Sequence, residues 1–245
     1  MAYTLKMKLW RGDQSGGDLQ DYDVEVETGE VVLDAIHRVQ ATQAGDLAVR
    51  WNCKAGKCGS CSAEVNGRPK LMCMCRLSDY DEAETITVTP MRSFPVIRDL
   101  VTDVSYNYEK AKELPYAELP PRDDDGKRRM MQEDVERGQE FRKCIECFLC
   151  QDVCHVLRDH HKHDEFIGPR FLVYAANLEM NPLDTDDRVP DLKDQHGIGY
   201  CNITKCCTKV CPEHIHITDN AIIPLKERVV DRFYDPITRM FRIFR

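Results

Sequence analysis

The spacing of the cysteines constrains this chain more than any other feature of its sequence. The 245 residues include 13 cysteines, and none of them occurs in the first 52 residues. Eleven of the thiols form two arrays with short, regular intervals. The first array comprises Cys53, Cys58, Cys61 and Cys73, and the second comprises Cys144, Cys147, Cys150, Cys154, Cys201, Cys207 and Cys211. Such clustering is typical of metal sites in a reducing compartment rather than of disulfides.

The first array has the plant-type spacing of a 2Fe-2S centre, with intervals of four and then two residues between its first three cysteines. Gly56 and Gly59 lie inside this loop, where glycine permits a tight backbone path around a metal. The spacing leaves the fourth ligand open, because Cys73 and Cys75 both follow the loop. Whichever of the two is not a ligand is most simply a buried free thiol.

The second array begins with the run of a two-cluster bacterial ferredoxin, Cys-x2-Cys-x2-Cys-x3-Cys, from residue 144 to residue 154. In such proteins the fourth cysteine of each run ligates the other cluster. The run therefore predicts a 4Fe-4S centre with a distant fourth ligand. Its ligands are predicted to be Cys144, Cys147, Cys150 and Cys211.

The later half of this array departs from the template at one position. On the same template its four slots hold Cys201, Thr204, Cys207 and Cys211. Thr204 replaces the second cysteine, so three thiolates remain for this site, from Cys154, Cys201 and Cys207. Three thiolates predict a 3Fe-4S cluster unless Cys206 supplies a fourth. We expect it not to, because its side chain should point away from that of Cys207.

Charge and hydropathy exclude several classes of function. A net charge of -8 argues against a nucleic-acid partner, because phosphate binding requires clustered Lys and Arg. The apolar stretches fall short of the roughly 20 residues that a membrane-spanning helix needs. The start of the chain has neither a signal peptide nor transit character, so we expect the protein to stay where it is made. Zinc sites that merely brace the fold are the alternative to iron and sulfur.

Hydrophobic periodicity predicts two domains. Strands with one helix are expected in residues 1–106, a connector rich in proline and charge in 107–130, and helices in 131–245. Asn66-Gly67 predicts a hairpin turn. The remaining predicted strands are 3–10, 21–27 and 85–91, and the predicted helices are 28–40, 132–143, 171–180 and 218–231 with a kink at Pro224. The last six residues mix apolar and basic side chains, which fits either a partner contact or a frayed terminus.

With both arrays in this order, the chain resembles the iron-sulfur subunits of succinate dehydrogenase and fumarate reductase complexes over almost its whole length. The resemblance implies an α+β protein: an N-terminal β-grasp plant-type ferredoxin domain and a C-terminal, mostly α-helical domain like bacterial ferredoxin. It also implies Cys73 as the fourth 2Fe-2S ligand, since Cys73 lies twelve residues after Cys61.

The resemblance further implies partners and a role in electron transfer. The partners would be a flavoprotein subunit with bound FAD and one or more membrane-anchor subunits where quinone reacts. Electrons would pass from FAD through the 2Fe-2S, 4Fe-4S and 3Fe-4S clusters to quinone, and no residue of this chain would bind the dicarboxylate. The chain would be peripheral on the cytoplasmic face of a bacterial cell membrane. The alternatives are a fumarate reductase with reversed flux and a subunit that serves another flavin dehydrogenase.

One departure from the family concerns the quinone. Members with a quinone pocket typically have Pro directly after the cysteine equivalent to Cys154 and Trp five residues after it, where this chain has His155 and Asp159. The difference predicts another quinone, such as menaquinone, or another site for it. Imidazoles titrate near neutral pH, so His155 and the histidines of residues 160–163 are candidates for a proton relay. A solvated charged loop is the simpler interpretation of that run.

Overall fold

Two structural units alternate along the chain. The computed structural model of the protein describes residues 2–236, so the last six residues lie outside the described part. The first unit comprises the residues up to Tyr106 together with Ile145–Val153, and the second comprises Asn107–Cys144 together with the residues from Cys154 onwards. The domain boundaries given above stay a prediction.

The first unit contains a mixed seven-stranded sheet. Its strands are β1 (Ala2–Asp13), β2 (Gly16–Glu27), β3 (Ser62–Val65), β4 (Arg68–Leu71), β5 (Ile86–Thr89), β6 (Val96–Arg98) and β7 (Val101–Thr102). The order is β4-β3-β5-β1-β6-β7, and β2 also pairs with β1. β1 is antiparallel to β2 and parallel to β5, and its buried residues alternate with exposed ones as the sequence predicted.

The predicted helix and hairpin of this unit are confirmed. Helix α1 (Val32–Thr42) buries one apolar face, and its first turn is held by the Val31 N–H, which donates to the Asp34 carboxylate at 3.2 Å. Between β3 and β4 the two turn residues, Asn66 and Gly67, have φ of 48° and 72°. Positive φ at both positions matches the tight turn that this dipeptide favours.

Two strands after β5 were not predicted. β6 and β7 are three and two residues long, too short for a period-two pattern. They are positioned by the buried Asp99, whose carboxylate accepts hydrogen bonds from the backbone N–H groups of Gly12 at 3.0 Å and Ala48 at 2.8 Å. These long-range bonds leave no local signal in the sequence.

The remaining helices are mostly short. They are α2 (Ser105–Glu113), α3 (Gln132–Gln139), α4 (Leu149–Asp152), α5 (His155–Arg158), α6 (Pro169–Glu179), α7 (Val189–Asp194), α8 (Cys206–Val210) and α9 (Ile223–Phe233). None of the helices in the described residues is long and apolar enough to cross a membrane.

Helix positions agree with the sequence in some places and differ in others. The predicted helix 171–180 is confirmed by α6. The connector was predicted to be irregular from residue 107, but α2 continues to Glu113 and ends just before Pro115, where proline restricts the preceding residue. The predicted helix 218–231 is instead a π-helical segment, Ile217–Ile222, followed by α9. Pro224 lies in the first turn of α9, where its missing N–H is not needed.

Candidate iron-sulfur sites

The cysteine loop of the first unit directs backbone N–H groups at its thiols. The N–H groups of Ala55 and Lys57 donate to the Cys53 Sγ at 3.3 and 3.4 Å. The N–H of Cys73 donates to the Cys61 Sγ at 3.5 Å. Sulfur ligands of iron-sulfur centres accept such hydrogen bonds, which tune their potential. The loop therefore fits a cluster.

The protonation of two of these thiols differs. Burial raises the pKa of Cys58, but hydrogen bonds from Ser60 and Cys53 outweigh it and lower that pKa to about 6. Burial raises the pKa of Cys61 to about 12. Because the thiolate is the form that ligates metal, Cys58 is prepared for ligation, whereas Cys61 needs the positive charge of a metal to lose its proton.

The structure separates the two candidates for the fourth ligand of this loop. Cys73 is hydrogen-bonded to Cys61 through both its backbone and its side chain. Cys75 is buried beside Tyr80, and burial raises the pKa of its thiol. These contacts favour Cys73, whose assignment as a ligand stays a prediction.

Within the first unit, the same loop contacts the segment Ile145–Val153. A Cβ on Gly59 would lie only 2.7 Å from the Cα of Cys147, so this position has no room for a side chain. The Ser62 hydroxyl lies 2.9 Å from the Gly59 carbonyl oxygen and 2.8 Å from that of Cys147. Sequence analysis missed Ser62, because a serine after a cysteine gives no signal of a contact 85 residues away.

The runs that begin at Cys144 and at Cys201 share an unusual backbone conformation. In each run, the residues two and four positions after the first cysteine have left-handed torsions although neither is glycine. Their φ values are 56° at Glu146, 60° at Phe148, 62° at Ile203 and 61° at Lys205. A helical turn follows at once in both runs, α4 in one and α8 in the other. Thr204 thus occupies the same backbone position as Cys147, which supports the template alignment.

This backbone repeat has an energetic cost. A left-handed residue other than glycine costs roughly 1–3 kcal/mol and persists only where its surroundings hold it. Ile203 is the least favourable of the four, because a β-branched side chain crowds the left-handed backbone most. Strained residues of this kind concentrate at ligand clamps, and here they lie beside the predicted cluster ligands.

Thiols of the second unit are also hydrogen-bonded or buried. The Ile215 N–H donates to the Cys211 Sγ at 3.4 Å, and the Thr218 hydroxyl lies 3.5 Å from the Cys207 Sγ. Burial raises the pKa of Cys154 to about 11, and the thiols of Cys206 and Cys201 also raise it. Cys154 therefore has other thiols as its electrostatic neighbours.

The expectation for Cys206 was wrong. Its side chain does not point away from that of Cys207 but is hydrogen-bonded to it, and this bond is the main reason that the pKa of Cys206 falls to about 5. The Thr204 hydroxyl donates to the Cys206 Sγ at 3.3 Å, and His155 contributes another hydrogen bond. Both cysteines lie in the first turn of α8, where successive side chains are about 100° apart rather than on opposite sides.

The histidines fall into distinct environments. His155 is the first residue of α5, next to Cys154, and its ring centroid lies 6.0 Å from that of His160. Asp159 is exposed, as are the first two histidines of the 160–163 run. The His216 ring nitrogen lies 2.7 Å from the Glu140 carboxylate. The His155 side chain is hydrogen-bonded to the thiol of Cys206, which lies outside the two arrays.

A zinc site and a cluster make different geometric demands. A structural zinc ion requires several donors around one point. Among residues 2–236, no three His, Cys, Asp or Glu side chains are grouped to hold a single metal ion. Each iron of a cluster binds at most two protein thiolates, so the ligands of a cluster do not all converge on one atom. The hydrogen-bonded thiols of the loops are compatible with that arrangement.

Known proteins match both halves of the chain. Residues 5–109 match the family described as a 2Fe-2S iron-sulfur cluster binding domain, and residues 140–215 match the 4Fe-4S dicluster domain. The chain is 32% identical over 208 residues to the fumarate reductase iron-sulfur subunit of Mycobacterium tuberculosis, which covers 82% of both proteins. It is 29% identical over 220 residues to the mitochondrial succinate dehydrogenase (ubiquinone) iron-sulfur subunit of Candida glabrata, with 87% of this chain and 86% of the relative covered.

Among solved structures, the chain is similar to one in the Sdh1 complex of Mycobacterium smegmatis in its apo form. The sequence identity is 66% and the TM-score is 0.94, with 97% of this chain and 100% of that chain covered.

Proposed function

Because this chain belongs to the family of iron-sulfur subunits of succinate dehydrogenase and fumarate reductase complexes, we propose that it carries electrons between a flavoprotein subunit with FAD and a quinone at a membrane anchor. The observation that carries this proposal is the contact of Gly59 with Cys147. It brings the loop of one proposed centre against a proposed ligand of the next. Electron transfer becomes much slower as carriers move apart, so such a contact suits a chain of centres.

The proposed ligands follow the cysteine templates and, for Cys73, the family resemblance. They are Cys53, Cys58, Cys61 and Cys73 for the 2Fe-2S cluster, Cys144, Cys147, Cys150 and Cys211 for the 4Fe-4S cluster, and Cys154, Cys201 and Cys207 for the 3Fe-4S cluster. The bound clusters supply one-electron redox chemistry. The protein supplies the thiolates, the N–H groups that bond to them and the exclusion of water.

The folds that hold these centres are proposed with them. The sheet and α1 of the first unit suit the β-grasp layout of plant-type ferredoxins. The repeated backbone of the two runs suits a helical domain like that of bacterial ferredoxins. In the complex, this subunit would be peripheral on the cytoplasmic face of a bacterial cell membrane, attached through the anchor subunits.

Succinate oxidation is the proposed direction, with a fumarate reductase as the alternative. Relatives of both names match the chain at similar identity. The direction depends on the potentials of the clusters and of the quinone, and cluster potentials span roughly -700 to +450 mV. Succinate oxidation and fumarate reduction by the same purified complex, compared at matched quinone and quinol concentrations, would distinguish the two.

We propose menaquinone as the quinone, since His155 and Asp159 stand where quinone-binding relatives have Pro and Trp. His155 is the better candidate for a proton relay, because it lies next to Cys154, whereas Asp159 is exposed. If a local quinone site exists, His155→Ala should slow menaquinone reduction more than Asp159→Ala. Unchanged quinone reduction in both variants would place the quinone elsewhere.

Low-temperature EPR of the purified complex tests the proposal. The oxidised sample should give the nearly isotropic signal of a 3Fe-4S cluster, and the dithionite-reduced sample should add 2Fe-2S and 4Fe-4S signals. A colourless protein that contains zinc and gives no EPR signal would refute electron transfer and support a zinc-braced module. The substrate of the co-purifying flavoprotein separates this family from other flavin dehydrogenases.

A further inference from the structure

We propose that Cys206 is a latent fourth ligand at the site of Cys154, Cys201 and Cys207, where it would bind one additional iron. The inference rests on the proposed function, because it requires a 3Fe-4S cluster at these three thiolates. It adds a ligand that the Cys-x2-Cys-x2-Cys template does not contain. The site would then have two forms that differ by one iron.

The position of the Cys206 sulfur is the first argument. Thr204 holds the template slot of the missing cysteine, and its hydroxyl donates to the Cys206 Sγ at 3.3 Å. A thiol therefore lies within one hydrogen bond of the slot that lacks one. The hydrogen bond to the Cys207 side chain holds the same sulfur beside a proposed ligand.

The matched residue of the other run is the second argument. Cys206 is five residues after Cys201, as Leu149 is five residues after Cys144, and both begin a helical turn. Leu149 is fully buried and apolar. The second run has a half-buried thiol at that position, beside the only slot of the two runs without a cysteine.

The surroundings of Cys206 also suit ligation. The thiols of Cys206 and Cys201 are the charged neighbours that affect Cys154, so three sulfurs of this site interact with one another. His155 is also hydrogen-bonded to Cys206, so a further side chain fixes the position of this sulfur.

The reaction balances without an added oxidant. A one-electron-reduced 3Fe-4S core has no net charge, and a ferrous ion adds two positive charges, which gives a 4Fe-4S core of charge +2. A bond forms between the Cys206 sulfur and the added iron, and the proton of any Cys206 that is still a thiol leaves to water. Electrons that enter the subunit reduce the core beforehand, and ferrous iron is the only other reactant.

Isotopic iron tests this in the intact complex. The purified complex is reduced with dithionite without oxygen, incubated with ⁵⁷Fe(II), desalted and gently reoxidised. In the unchanged protein we expect the isotropic EPR signal to be lost and one ⁵⁷Fe per chain to appear in a 4Fe-4S Mössbauer spectrum. Cys206→Ala should keep the EPR signal and take up no ⁵⁷Fe. Cys75→Ala removes a thiol that is not a proposed ligand and should behave like the unchanged protein.

Two results would overturn the proposal: no ⁵⁷Fe uptake by the unchanged complex, or equal uptake by Cys206→Ala. The first result does not depend on the stability of the variant, because it uses the parent alone. A second 4Fe-4S centre in the untreated complex that Cys206→Ala converts to 3Fe-4S would support Cys206 as a permanent ligand. Failure of the proposed function looks different, since the untreated complex would then contain no iron.

Discussion

The runs 144–154 and 201–211 have the same backbone and different chemistry. Both carry left-handed residues at equivalent positions and both continue into a helical turn. They differ at the third residue after the first cysteine, which is Cys147 in one and Thr204 in the other. The comparison shows that the same backbone conformation occurs with and without a cysteine at this position. The proposed ligand sets therefore assign a four-iron cluster and a three-iron cluster to runs with one backbone conformation.

The runs also differ in what holds them. Cys147 is fixed through its carbonyl oxygen by the Ser62 hydroxyl. In the second run, the buried Thr218 contacts the Cys207 sulfur and is hydrogen-bonded to the Thr208 hydroxyl at 3.0 Å. In both cases one buried hydroxyl supports the run, but one supports the backbone and the other a thiol.

Exchanging the side chains at positions 204 and 147 should have the largest effect, a change in the type of cluster that each site holds. Thr204→Cys restores the template, so we expect the isotropic signal of the oxidised complex to disappear and the iron content to rise by one atom per chain. Cys147→Thr should produce the reverse change at the other centre. EPR and iron analysis of both variants check this. Retention of the isotropic signal in Thr204→Cys would show that the frames are not equivalent.

Removal of the supporting hydroxyls should have the next largest effect. Ser62→Ala and Thr218→Val each leave buried partners unsatisfied, which costs roughly 1–3 kcal/mol of stability. Because Thr218 touches a proposed ligand sulfur, Thr218→Val should also change the redox potential of its centre. Ser62→Ala should leave that potential unchanged. Denaturant unfolding and redox titration measure the two effects, and equal potential shifts would contradict the distinction.

The stability of the two units should change with pH in opposite directions. Burial raises the pKa of Glu64 in the first unit, although Arg92 opposes the shift. Its contribution to stability is therefore present below the ordinary carboxyl pKa and is lost as the pH rises through the raised one. Burial lowers the pKa of His196 in the second unit. That contribution is present above the ordinary histidine pKa of about 6.5 and is lost as the pH falls.

Glu64→Gln and His196→Gln isolate these effects. Each should flatten the pH dependence of its own unit by up to about 1.4 kcal/mol per pH unit, the limit for one proton. Hydrogen exchange of the amides in the two units, followed from pH 4 to pH 8 and corrected for intrinsic rates, measures both in one sample. If the stability of both units changed with pH in the same direction, Glu64 and His196 would not be the groups responsible.

Relief of backbone strain should have the smallest effect. Ile203→Gly and Glu146→Gly place glycine at matched, exposed left-handed positions. We expect a gain of about 1 kcal/mol at Ile203 and less at Glu146, because β-branched residues are the least tolerant of this conformation. Unfolding free energies of the two variants test the order. A loss in either variant would mean that its side chain makes a contact that outweighs the strain.

Helix α1 and the hairpin could be predicted because each depends on residues that are close in sequence. Asn66-Gly67 defines a turn by itself, and the apolar face of α1 follows from its period. By contrast, β6 and β7 depend on the long-range bonds of Asp99, and Ser62 acts on a carbonyl 85 residues away. The direction of the Cys206 side chain depends on where α8 begins, which the cysteine spacing does not determine.

The close approach at Gly59 also limits how this loop can vary. With backbone atoms of Cys147 in the space of a Cβ, any larger residue must push the two segments apart. A displacement that the sheet tolerates easily would still lengthen the gap between redox centres, and tunnelling rates fall exponentially with that gap. A substitution at Gly59 should therefore lower turnover as well as stability, because the new residue would also have to adopt the left-handed φ of 68°.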